Sequence, residues 1–278
     1  MDVTILSLVD GQPSCGPRTQ VLACADALSA GGAEAKLTDA VDDAGIDAVL
    51  QADNPIVVAA DSDSQIRAVL RRAVRIAAPA PSARGTDLPD DRTVADLPPL
   101  GVLPLAQTPE LVPALGLPDT PETVANAVLA KTVKRTDLLR NDGGGVTVHG
   151  IRLGGGDRPW RGKIALDDAI LTDGTESLIV GVVANADGYG TIDGLPLCDP
   201  DPTDAKLNIA IATPVAKRGL FRRKTHIEVR RGAGRAVAIT PVDDVPFIED
   251  GITGELGRKR TWWMERAAAG WYVDVNNP

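Results

Sequence analysis

The chain has 278 residues, 44% of them hydrophobic, and a net charge of −9. That length is enough to bury a core in each of two ordinary domains, and the acidic balance argues against a general nucleic-acid binder. Its three cysteines, Cys15, Cys24 and Cys198, share no C-x-x-C spacing and have only His149 and His226 beside them, which excludes a disulfide framework and a structural zinc site of ordinary pattern.

Aromatic residues make up 3% of the chain, so Val, Ala, Leu and Ile must fill most of the core. The opening "MDVTILSLVD" has no basic region and too short an apolar run for a signal peptide. No window approaches the roughly 20 apolar residues that a membrane helix needs. The expectation is a cytoplasmic protein.

Hydrophobic period then gives the elements in chain order. Residues 3–9, "VTILSLV", read as a buried strand. Residues 18–30 place Val21, Ala25 and Leu28 on one helical face, and Gly31–Gly32 end the helix. A second strand is expected at 33–37, and a short helix at 43–52 with Ile46, Val49 and Leu50 inward. "PIVVAA" (55–60) is a third strand, followed by a helix over 63–77 carrying Ile66, Val69, Leu70 and Val74 at helical spacing. This alternation implies a parallel sheet with helices on both faces.

Residues 78–99, rich in Pro and Asp, read as a surface loop. "LGVLPL" (100–105) is another strand, and 120–131 a helix with Thr120 as N-cap and Pro121 at its first position. After Arg135 the pattern becomes Gly-rich and then period-2, with strands at 177–186, 206–213, 226–231, 235–242 and 271–275. The second half is mostly β, and no internal repeat is evident.

Between the third strand and its helix the chain reads Asp61-Ser62-Asp63-Ser64-Gln65. An α/β protein usually cradles phosphate at such a turn with backbone N–H groups from glycines. Two acids beside a triphosphate repel it unless Mg²⁺ lies between them. The other reading is that Asp61 to Ser64 cap the following helix, a role that Ser and Asp serve well. Both readings stay open on the residues alone.

Three longer stretches carry a resemblance: "PPLGVLPLAQTPELVPALGLPDTPETVANAVLAKTVKRTDLL" (98–139), "GVVANADGYGTIDGLPLCDPDPTDAKLNIAIA" (181–212) and "HIEVRRGAGRAVAITPVDDVPFIEDGITG" (226–254). In order and spacing they resemble the diacylglycerol kinase-like lipid kinases, which share a two-domain fold with the NAD kinases. The resemblance implies an α/β nucleotide-binding-like domain with a parallel sheet over 1–135 and a β-rich, sandwich-like domain over 136–256. It also implies a C-terminal segment, 257–278, that returns to the first domain.

The family's functional motifs are altered here. Its G-G-D-G-T turn falls on Asp61–Gln65 and keeps only the central acid, Asp63. Its G-T-x-N-D falls on Ala106–Glu110, and its D-G-E on Asp250-Gly251-Ile252, which keeps the residue that would act as base. The magnesium-associated D-D-G-x-L-D falls on Thr203–Asn208 and keeps Asp204. In "DGQPSCGPR", Ser14 and Gly16 offer N–H groups to an anion where the family has N-P-x-S-G. Residues 141–176 are too few and too Gly-rich for the family's helical insertion on the lipid-accepting side.

For an active enzyme the resemblance implies ATP and Mg²⁺, with Asp250 catalytic, Asp63 and Asp204 on the metal, and Ser14, Gly16 and Asp61 to Ser64 at the nucleotide. The bland readings are a hairpin turn for Asp250-Gly251 and an exposed loop acid for Asp204. Three damaged motifs and the missing insertion point instead to a diverged homologue, weak or inactive as a kinase, acting as a ligand-binding or regulatory protein for a small molecule.

The segment 216–235, "AKRGLFRRKTHIEVRRGAGR", holds eight Lys or Arg and one acid, Glu228. Arg218, Phe221, Arg222, Arg223 and Lys224 set apolar and cationic side chains close together. The pattern suits an anionic lipid surface or an acidic protein partner, at ~1 kcal/mol per nearby Lys or Arg on anionic lipid, which adds a peripheral position at the inner membrane surface to the expectations. Against it stands a solvated strand edge, where cations discourage pairing.

Overall fold

The computed structural model describes residues 1–9, 18–78, 88–89, 91–156, 158–192, 195–218 and 223–274. The chain divides into two compact units, Met1–Thr136 with Glu265–Pro278, and Asp137–Met264.

The first unit contains β1 (Asp2–Leu8), α1 (Thr19–Ala30), β2 (Glu34–Ala40), α2 (Asp43–Leu50), β3 (Ile56–Ala60), α3 (Asp63–Ala77), β4 (Leu100–Pro104), α4 (Leu111–Leu115) and α5 (Pro121–Ala130). β5 (Val133–Asn141) follows and crosses the boundary between the units. The strands pair in parallel in the order β2-β1-β3-β4. Every residue of β3 and β4 is buried, which explains their unbroken apolar sequences: a parallel strand covered on both faces has no polar side to show.

Val3, Ile5, Val57, Ala59 and Leu103 share one core with Val21, Cys24 and Leu28 of α1 and Val124 and Val128 of α5. Strand alternation turns Val58 and Ala60 to the opposite face. α3 packs against β3 and α2, with Ile66, Val69 and Leu70 fully buried. Arg72 ties α3 to α2, its Nε donating to Asp47 at 2.7 Å and its Nη1 to Asp43 at 3.0 Å. α5 starts as its sequence dictates. Thr120 and Thr123 form a reciprocal capping box, and Pro121 opens the helix.

The second unit carries β6 (Val146–Thr147), β7 (Gly150–Gly154), β8 (Gly162–Leu166), β9 (Ala169–Asp173), β10 (Val180–Ala184), β11 (Thr191–Ile192), β12 (Leu195–Pro196), β13 (Leu207–Arg218), β14 (Arg223–Gly234), β15 (Ala236–Pro241), β16 (Val245–Glu249) and β17 (Ile252–Leu256). β18 (Arg260–Tyr272) begins here and ends in the first unit, where Trp271 pairs in parallel with Leu100 of β4.

Strands β14-β13-β10-β7-β16-β17 form a six-stranded antiparallel sheet. The start of β18 pairs antiparallel with β15, which continues to β8 and β9. Ile151, Leu153, Ile209 and Ile211 of the first of these sheets share one core with Ile164, Leu166, Val237, Ile239 and Trp262 of the second. This is a sandwich.

Two expectations are corrected. Within 78–99 the described residues 91–99 are not a simple surface loop: Val94 and Leu97 are fully buried. Thr93 N donates to Glu265 Oε2 at 2.6 Å and Leu97 N to Ala268 O at 3.0 Å, so the segment is strapped to β18. Val94 and Leu97, three residues apart in a Pro- and Asp-rich stretch, make no period, which is why the strap was invisible. Of the strand expected at 271–275, Trp271 and Tyr272 end a thirteen-residue strand, Val273 and Asp274 lie beyond it, and residue 275 is outside the described residues. The middle of the long strand, Met264-Glu265-Arg266-Ala267-Ala268-Ala269, has high helix propensity, and sheet pairing overrides it.

Candidate functional site

The turn after β3 is closed by its own side chains. Asp61 Oδ1 accepts the backbone N–H of Ala106 at 2.9 Å and lies 3.4 Å from that of Gln107. Asp61 Oδ2 accepts from the guanidinium of Arg18, at the start of α1. The backbone N–H of Asp61 donates to Gln65 Oε1 at 2.7 Å. Ser62 holds the N-cap position of α3 without a side-chain capping bond; its Oγ meets Ser64 Oγ at 2.8 Å. Asp63 is buried and accepts from Leu111 N at 3.0 Å, tying the turn to α4.

In the second unit, Asp250 and Gly251 form a two-residue hairpin turn between β16 and β17, with Glu249 paired to Ile252. Both turn residues have positive φ, 47° and 80°, the conformation that favours Asp-Gly in such a turn. The Asp250 side chain is fully buried. Its Oδ2 accepts from Val148 N at 2.8 Å, and its Oδ1 from His149 N at 2.9 Å and Gly150 N at 3.0 Å. Glu249, also buried, accepts from Thr147 Oγ1 at 2.5 Å and Trp262 Nε1 at 3.1 Å.

Asp204 is exposed, and its Oδ1 accepts from Lys206 N at 2.8 Å. Asp201 Oδ1 accepts from Thr203 N and Oγ1 in the same loop. Buried Asp137 clamps this loop from β5: its N–H donates to Pro202 O at 2.7 Å, and its Oδ2 accepts from Ala205 N at 2.7 Å. Asn185 Nδ2 then bridges Asp137 O at 2.9 Å and Val148 O at 2.8 Å. The loop of Asp204 and the cradle of Asp250 are therefore joined through Asp137 and Asn185.

No protein-family sequence model matches the chain, and no curated protein matches it. Solved structures do. A diacylglycerol kinase from Bacillus anthracis str. Sterne aligns with a TM-score of 0.69 at 11% identity, covering 99% of this chain and 98% of that one. An NAD kinase from Archaeoglobus fulgidus, in complex with ATP, aligns with a TM-score of 0.58 at 14% identity, covering 100% and 95%. The chain has the diacylglycerol kinase and NAD kinase fold.

Within that fold, Asp61, Ser62, Asp63 and Ser64 share one turn, while Asp204 and Asp250 lie in the second unit. Ser14, Gly16, Phe221 and Arg222 fall outside the described residues. Arg218, Arg223 and Lys224 belong to the β13–β14 ribbon. Its register sets Arg218 opposite Arg223 and Lys217 opposite Lys224. β10 pairs with β13 only as far as Ala212, so residues 213–218 and 223–228 continue as two strands alone beyond that edge. No helix among the described residues is long and apolar enough to cross a membrane.

Reading the sequence did not single out Arg18, Asp137 or Asn185. Arg18 carried the one available signal, a cation at the mouth of the first strand–helix turn. Cys24 and Cys198 are buried free thiols, and burial pushes both up to about 12, which keeps them protonated and inert. His149 is buried, with Nε2 at 2.7 Å from Asp187 O.

Proposed function

We propose that this chain is a diverged diacylglycerol kinase-like protein that transfers phosphate weakly or not at all and acts as a ligand-binding or regulatory protein. The observation that carries this reading is the state of Asp250. A base for phosphoryl transfer needs a carboxylate oxygen within reach of the acceptor hydroxyl. The oxygens of Asp250 are fully buried and accept three backbone N–H groups. A carboxylate so held acts as a structural pin.

The hydrogen bonds at the first turn weigh against tight nucleotide binding as well. The backbone donors that would meet phosphate already serve Asp61, and Asp63 is bonded to Leu111 N. The competing reading, an active ATP- and Mg²⁺-dependent kinase for a lipid or small alcohol, needs Asp63, Asp204 and Asp250 to act together. Of these, Asp204 alone is exposed.

Incubation with γ-labelled ATP, Mg²⁺ and diacylglycerol vesicles separates the two. The expected result is no label in lipid above the blank, for the wild type and Asp250→Asn alike. Label transferred by the wild type and lost in a folded Asp250→Asn overturns the reading.

The β13–β14 ribbon favours a second role, docking on an anionic lipid surface at the inner membrane face. The backbone register brings Lys217, Arg218, Arg223 and Lys224 to one end of the ribbon, a composition that suits an anionic surface. Sedimentation with phosphatidylglycerol vesicles is expected to fall with salt and to be lost in Arg222→Glu/Arg223→Glu. Equal binding to neutral vesicles contradicts it, and capture of an acidic protein without vesicle binding assigns the ribbon to that partner class.

A further inference from the structure

We propose that the turn after β4 and Arg18 together form a receptor for a phosphate-type anion, which the chain keeps filled with the carboxylate of Asp61. The inference rests on the reading of the chain as a diverged kinase-like protein and names what became of its nucleotide side. Three donors converge on this one side chain: Ala106 N, Gln107 N and the Arg18 guanidinium. They are contributed by two separate segments, neither of them within 40 residues of Asp61 in sequence. Leu105 N donates to Ala60 O at 3.1 Å, which fixes the donor turn against the end of β3 before any anion is present.

The location fits a ligand. In parallel α/β sheets the open carboxyl ends of the strands are where ligands bind, and Ala60 of β3 pairs with Pro104 of β4 at that end. Two backbone N–H groups beside a guanidinium also form a set that phosphate oxygens accept well. A glycine at position 61 would leave that set vacant. Aspartate fills it with an anion that cannot diffuse away, at an effective concentration no free ligand matches.

Asp61 is not sealed in. Its side chain is 28% exposed and that of Arg18 44%, so water and solutes reach the pair. A contact this exposed contributes little to stability, so its removal should leave a folded protein with an emptied receptor.

The test is isothermal calorimetry with inorganic phosphate, and separately with ATP and adenosine, at matched ionic strength. The proteins are the wild type, Asp61→Ala and Asp61→Ala/Arg18→Ala, each checked by circular dichroism and thermal unfolding. Asp61→Ala is expected to bind phosphate and ATP at least about tenfold more tightly than the wild type, the scale of one released charge-assisted bond. Adenosine binding should not change, and the double variant should lose the gain. Asp61→Gly, which also removes the carboxylate that occupies Ala106 N and Gln107 N, gives the same readout if the alanine variant does not fold.

A folded Asp61 variant with no gain overturns the proposal, as does wild-type phosphate binding of equal strength. Either result leaves the reading from Asp250 untouched. Conversely, lipid phosphorylation by the wild type contradicts that reading without altering this comparison of variants.

Discussion

Asp61 and Asp250 are both carboxylates that accept backbone N–H groups, one at a turn in each unit, and they differ in how far water reaches them. Asp250 is fully buried and accepts three N–H groups from consecutive residues, 148–150. Asp61 is partly exposed and accepts from one turn and one guanidinium. A carboxylate at a turn can thus serve either of two physical ends. At Asp250 it pins a hairpin into a core. At Asp61 it occupies a place that a diffusible anion could take.

If this contrast is right, replacing the two acids should separate stability from binding. The largest effect is expected from Asp250→Ala, which leaves three buried N–H groups without an acceptor; we expect a loss of about 3 kcal/mol or more by urea unfolding. Asp250→Asn should lose less, because it keeps one acceptor oxygen and tolerates the left-handed backbone. A loss below about 1 kcal/mol for the alanine variant, the level of an exposed pair, breaks the contrast. Asp63→Ala, which removes the acceptor of the Leu111 N–H, is expected to lose about 1–2 kcal/mol. Asp61→Ala should fall within about 1 kcal/mol of the wild type.

The smallest effect concerns the α2–α3 contact, away from both turns. The hydrogen bond from Arg72, reinforced by its charge, holds the Asp47 carboxyl below the usual carboxylate range. A carboxyl lowered in the folded state contributes stability above its unfolded value of 3.8 and loses it as pH falls through the folded value. Asp47→Asn should therefore be less stable than the wild type at neutral pH, and the two unfolding curves should converge in acid. A constant gap down to the acid limit contradicts this.

How much of this was legible in the sequence depended on distance along the chain. The helix over 63–77 and the capped start at Thr120 follow from residues a few positions apart. So does the alternation that places a parallel sheet in the first unit. The bonds that decide the role of each acid join Asp61 to residue 106 and Asp250 to residues 148–150, separations of 45 and about 100 residues. No local pattern records them. Asp250-Gly251 reads as a turn from its own chemistry, yet nothing near it says that the carboxylate folds inward. The β18 strand was missed before 271 for a related reason: its alanines and Glu265 carry no period-2 pattern, and Ala267 takes a positive φ of 51° within it.

The most direct test is calorimetric titration of ATP into the wild-type protein, with and without Mg²⁺. The account predicts no binding heat and no thermal stabilisation up to millimolar ATP in either buffer, because the phosphate donors are held by Asp61. Micromolar, Mg²⁺-dependent binding would contradict it, since the nucleotide would then have to displace Asp61 from Ala106, Gln107 and Arg18.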